Sequence, residues 1–138
     1  MNAVNQAIYD RLTTDVTLSA LLALYGGSPA VFTTDPPPGD AALPYLVTPG
    51  EIARGPADTK TTYGVDLRQD VRCYAEVTGS NLVIAAIAER VYWLFHRQPL
   101  VIPGYGVWLT VCSGPLVADE PQAYGRIVTV RLMMEMVP

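Results

Sequence analysis

Tyr63-Gly64-Val65-Asp66-Leu67-Arg68-Gln69-Asp70-Val71-Arg72-Cys73-Tyr74-Ala75-Glu76-Val77 is the stretch that decides the fold. Tyr63, Val65, Leu67, Val71, Cys73, Ala75 and Val77 hold odd positions in it, while Asp66, Arg68, Asp70, Arg72 and Glu76 hold even ones. Apolar residues at every second position share one face of a β-strand, because successive side chains point to opposite sides of the pleat. Only Gln69 interrupts the apolar face. At ~3.3 Å per residue such a strand spans on the order of 50 Å, several times the usual five or six residues. The reading therefore assigns it two jobs. The half from Val71 to Val77 packs under a helix, and the half from Tyr63 to Asp70 overhangs the core and offers an edge to a neighbour.

Thr78-Gly79-Ser80 breaks the strand, and Ser80 suits the N-cap of a helix from Asn81 to about Arg97. Ile84, Ile87, Ala88, Val91, Leu94 and Phe95 recur at helical spacing and form its buried stripe. Upstream, Val4, Ala7, Ile8 and Leu12 fall three or four apart and predict an amphipathic first helix. Asp15 or Thr17 caps a second short turn carrying Leu18, Leu21 and Leu22, which ends at Gly26-Gly27. A short strand follows from Ala30 to Thr34. The run Asp35-Pro36-Pro37-Pro38-Gly39-Asp40 has fixed φ angles and lacks amide donors, so it is an exposed connector.

Leu43 to Thr48 reads as a strand, and residues 49–62 carry the Gly, Pro and charge content of a long loop. Two more strands come after the second main helix. Val107, Leu109 and Val111 alternate in one, and Val128, Val130, Leu132, Met134 and Met136 alternate in the other, which runs to the C-terminus. Gly114-Pro115 and Glu120-Pro121 interrupt the span between them. No internal repeat is read. The order predicts an α+β fold, a mixed and mainly antiparallel sheet with two main helices packed on one face, in a single domain over residues 1–138.

The length fits one domain, and half the residues are hydrophobic, enough for a sizeable core. Only 16% are charged, against about 25% in a typical soluble domain. Burial between subunits or a cover of neutral polar residues would each account for the shortfall. With a net charge of −4 and Lys60 as the single lysine, the chain lacks the basic footprint of a protein that wraps nucleic acid. The longest apolar stretch, Leu82 to Ala88, is far short of a membrane span, and the first ten residues show no signal-peptide pattern. Cys73 and Cys112 show neither metal-ligand nor redox-pair spacing and read as buried thiols in a reducing compartment.

A search for chemistry assigns no catalytic, cofactor-binding or metal-binding residue. His96 is the only histidine, at a helix end where capping or solvation explains it. GxSxG, HExxH and GxxxxGK[ST] are missing, and Gly104-Tyr105-Gly106 reads as a turn before a strand. Asp66 and Asp70 share a strand face but stand among Arg68 and Arg72, which keep both ionised and unsuited to acid catalysis. That ladder is either a solvated face or a patterned contact that sets register between subunits. Tyr92, Trp93 and Phe95 read as core or interface, and Met133, Met134 and Met136 as adaptable packing.

Several segments, in order, resemble the tail terminator or tail completion proteins of long-tailed bacteriophages and gene transfer agents. They are Ile8-Tyr9-Asp10-Arg11-Leu12, then Asp15-Val16-Thr17-Leu18-Ser19-Ala20-Leu21-Leu22, then Val31-Phe32 before the prolines. Leu43-Pro44-Tyr45-Leu46-Val47, Asp70-Val71-Arg72-Cys73-Tyr74 and the Gly79 turn into the Ala85-to-Leu94 helix complete the series. The resemblance implies a hexameric ring at the head-proximal end of the tail tube. Such a ring stops tube polymerisation, meets a head completion or stopper protein, and lets DNA pass through its lumen without enzymatic activity or cofactor. The candidate contacts with other subunits or the tail tube are Arg54, Asp58, Lys60, Tyr63, Asp66, Arg68, Asp70 and Arg72, and the loop from Ala53 to Thr62 is expected to order on such contact. A head-tail connector or neck protein is an alternative. So is a small enzyme or ligand-binding domain using Glu51, Asp66 or Asp70 in a cleft.

Overall fold

The computed structural model describes residues 1–137. Helix α1 (Asn2–Thr14) buries Val4, Ile8 and Leu12 and stops where Asp15 turns extended. The same residue then starts α2 (Val16–Leu21), its carboxylate accepting the Leu18 amide at 2.9 Å, which satisfies one of the amides a helix start leaves open. Strands β1 (Leu24–Tyr25) and β2 (Ser28–Pro29) form a small hairpin. Gly26 and Gly27 take its turn at φ +59° and +83°, a region that favours glycine.

The main sheet runs β3 (Val31–Phe32), β4 (Tyr45–Val47), β6 (Gly64–Ala75), β8 (Tyr124–Met136), β7 (Tyr105–Val117), with β5 (Glu51–Pro56) also beside β6. Only β3 and β4 are parallel. Helix α3 (Leu82–Phe95) lies across β6, β7 and β8 and packs against α1 and α2. The α+β, mainly antiparallel reading therefore holds, with the core between the helices and one sheet face. Pro138, to which the last strand is expected to run, lies outside the described residues.

The long strand departs from its reading in one important way. β6 is interior, paired with β8 from Gly64↔Glu135 to Ala75↔Tyr124 and with β4 and β5 on its other side, so it offers no edge to a neighbour. Nor does its first half overhang, because Leu67 and Gln69 are as buried as Val71 and Cys73. Gln69 is the polar break in the apolar face because its amide donates to Asn5 Oδ1 at 3.1 Å and Thr48 Oγ1 at 2.8 Å. It ties α1 to the sheet.

Three further expectations give way to strand geometry. The loop expected over residues 49–62 contains β5, with a bulge between Glu51 and Ala53, leaving a short turn after it. In β7 a bulge at Trp108 shifts the phase, so Thr110 and Cys112 are buried while Leu109 and Val111 pass to the other face. The pair Gly114-Pro115 does not end β7, since the strand resumes after a second bulge with Leu116↔Ile127. Ser80 stands one residue before the N-cap Asn81, and its Oγ accepts the Leu82 amide at 3.3 Å.

An internal repeat is present that the sequence reading misses. Ala57-Asp58 and Tyr63-Gly64 flank the β5–β6 turn, and Ala118-Asp119 and Tyr124-Gly125 flank the β7–β8 turn with four residues between in each. Both turns close by an alanine amide to a glycine carbonyl at 3.0 Å, Ala57 to Gly64 and Ala118 to Gly125. In both the glycine amide donates to the aspartate, at 3.0 Å for Asp58 and 2.9 Å for Asp119. A Cβ on either glycine would lie 2.2 Å from the preceding alanine's carbonyl oxygen, which is why both are glycine. β6 and β8 cross antiparallel about the Gln69↔Val130 pair. The two turns thus stand at opposite ends of one sheet.

Candidate interaction surface

The sheet face away from the helices carries the even residues of β6 and the odd residues of β8. At the β4 end Tyr25, Phe32, Tyr45 and Tyr74 form an aromatic row with centroids 5.2, 5.8 and 5.5 Å apart. Burial pushes the hydroxyl pKa of Tyr45 and Tyr74 upward. Further along, Arg131 donates twice to Asp66, at 3.0 and 2.8 Å, and these bonds hold the Asp66 carboxyl below its ordinary range. Thr129 donates to Asp70 at 2.7 Å. Arg72 reaches Asp35 of the proline connector at 2.8 Å.

These contacts sort the candidate residues. Asp66, Asp70 and Arg72 bind groups of their own chain, and Asp70 is only 9% exposed, contrary to a solvent-facing ladder. The ladder mainly fixes the register of β6 against β8. Arg54 pairs with Glu51, and that bond, helped by the Met1 amino group, lowers the Glu51 carboxyl to about 2. Asp58 closes the β5–β6 turn. Lys60, Tyr63 and Arg68 remain exposed, and neither cation has an ion-pair partner among the described residues.

Other groups the sequence singles out are likewise engaged. His96 stacks on Tyr92 and its Nδ1 accepts the Cys112 amide at 3.1 Å, while the Arg97 amide donates to the Thr110 carbonyl at 2.8 Å. The end of α3 therefore seals the middle of the outer edge of β7, the side opposite β8, where an open strand would invite unwanted pairing. Both thiols are buried and pushed up to about 12, so neither is a ready nucleophile. Among the described residues no group of three or more His, Cys, Asp or Glu could hold a metal ion.

A groove of about 580 Å³ runs between α3 and the second half of β7, which the sequence reading does not find. Ala85, Glu89, Tyr92, Trp93, Pro115 and Arg126 line it. Its β7 wall lies at the bulge between Ser113 and Leu116, which no periodicity in the sequence signals. Trp93 on its wall is exposed.

The chain matches the family described as tail completion protein gp17 over residues 6–135. It belongs to the tail completion family. This is a family of structural tail proteins of phage virions, in keeping with side chains committed to packing and to one another. No curated protein sequence matches the chain. A solved chain described as part of the virion of a native gene transfer agent particle shares its fold, with a TM-score of 0.81. The two are 20% identical over 97% of this chain and 96% of that one. The fold is thus shared where most side chains differ.

Proposed function

We infer that this tail completion chain forms a homo-oligomeric ring, a hexamer, at the head-proximal end of a phage or gene transfer agent tail tube. There it ends tube polymerisation and joins the tail to the head through a head completion or stopper protein. The observation that carries this reading is the family match over residues 6–135. The low charge supports it, since an assembly subunit covers much of its surface with its neighbours. The net charge of −4 suits a lumen through which DNA slides without sticking. The chain acts by assembly and not by catalysis. Its place is the head-tail junction of the virion, after assembly in the bacterial cytoplasm, and no helix among the described residues is long and apolar enough to cross a membrane.

Contacts with other subunits or the tail tube come from Arg54, Asp58, Lys60, Tyr63, Asp66, Arg68, Asp70 and Arg72. Lys60, Tyr63 and Arg68 dominate, because they have the least to give up on binding. Negative-stain imaging of the protein alone and mixed with tail tubes tests the reading. A ring seated on one tube end is expected. Rings that bind only the portal side of heads favour a connector, and a monomer whose melting shifts with a small ligand favours an enzyme or binding domain.

A further inference from the structure

Tyr63 and Tyr124 occupy the same position in the two matching turns, yet only one is satisfied. Tyr124 is half-buried against the core, and its hydroxyl accepts the Gly79 amide from the loop after β6 at 3.1 Å. Tyr63 is 73% exposed and makes no side-chain hydrogen bond among the described residues. The turn geometry thus presents a tyrosine as a peg, and one of the two pegs has no socket among the described residues of its own chain. Beside it stands Lys60, exposed and without an ion-pair partner among the described residues.

The groove between α3 and β7 has the complementary character. Trp93, Tyr92 and Pro115 give it apolar and aromatic walls, of the kind that anchor an inserted tyrosine. Its Glu89 is exposed and without an ion-pair partner among the described residues, while its Arg126 is neutralised by Asp119 at 2.9 Å. The groove lies toward the end of β7 and the start of β8, whereas the peg stands at the start of β6. Along an antiparallel sheet these are opposite ends, about 30 Å apart, so a chain cannot fill its own groove.

We propose that the Lys60–Tyr63 turn of one copy docks in the α3–β7 groove of a second copy, Tyr63 against Trp93 and Pro115 and Lys60 beside Glu89. Unlike surfaces at opposite ends of the chain make this a head-to-tail contact, which closes a ring when the rotation per copy allows it. The contact rests on the ring reading above and supplies its interface.

The test uses Lys60→Glu and Glu89→Lys, each alone and mixed one to one, with light scattering of the purified chains with and without tail tubes. Both positions are exposed, so melting temperatures should stay within about 2 °C of wild type. Each variant alone should need at least about tenfold more protein to assemble, because the reversal sets like charges together. The mixture should assemble like wild type, since alternating copies restore every pair with one orientation reversed. Tyr63→Ala should also weaken assembly with unchanged melting, and mixing should not rescue it. A wild-type ring indifferent to both reversals, or a mixture that stays dissociated, overturns the contact and leaves the ring reading standing. A wild type that remains monomeric with and without tubes overturns both.

Discussion

Asp15 accepts two hydrogen bonds from Arg90, at 2.9 and 2.7 Å, while the same carboxylate caps α2 through the Leu18 amide at 2.9 Å. One residue thus ends α1 with its extended backbone, and its side chain starts α2 and ties it to α3. Replacing Asp15 with alanine should cost about 1 kcal/mol through the cap alone, a fall of about 4 °C in melting temperature. Arg90→Ala should cost less, because the cap survives. Thermal melts of both variants check the order, and an unchanged Asp15→Ala melt would count against it.

Acid should loosen the fold through the carboxylates that arginines hold ionised. Arg90 lowers Asp15, Arg54 lowers Glu51 to about 2, and Arg131 lowers Asp66. A carboxylate depressed by folding adds stability above its unfolded pKa and loses it as pH falls through the folded one. For Glu51 that window runs from 4.5 down to about 2. Melting temperature should fall across it, and an Asp15→Asn, Glu51→Gln double variant should fall less steeply. Parallel curves would refute the assignment.

The paired turns make a steric prediction. Gly64→Ala and Gly125→Ala each place a Cβ 2.2 Å from a backbone carbonyl oxygen, so the backbone must shift, and each should cost about 1–3 kcal/mol. Gly55 has nothing within 4 Å of that position, so Gly55→Ala should be close to neutral. Urea denaturation of the three variants separates them, and equal midpoints would contradict the shared turn geometry.

Legibility in the sequence followed strand periodicity and failed where the backbone left it. The odd face of β6, the stripe on α3 and the cap at Asp15 were all readable, because burial has to match the pleat or the helical turn. The phase of β7 was not readable, since a bulge at Trp108 moves the side chains from Leu109 to Ser113 to the other face without changing composition. β5 was hidden because Glu51, Arg54, Gly55 and Pro56 are poor strand formers, tolerated at an edge beside β6. Likewise the aspartates looked solvated because their partners, Thr129 and Arg131, come from a strand some sixty residues away. Lys60 and Tyr63 were legible as candidate contacts, but the groove that complements them was not.

Hydrogen exchange should divide the segment from 49 to 62. Amides of β5 that bond to β6 should be protected in the free chain, whereas those of Lys60 and Thr61, at the exposed tip, should exchange quickly. In assembled tails the tip should slow while β5 changes little. Equal and strong protection of the tip in both states would remove its role as a contact.

Tail-tube length measures the central claim most directly. Tubes imaged from particles made without this chain should be longer and more variable than those made with it, with bare ends and few attached heads. Purified chain added during tube growth should restore the short, uniform length and leave a ring at one end. A length distribution that is the same with and without the chain would contradict the account.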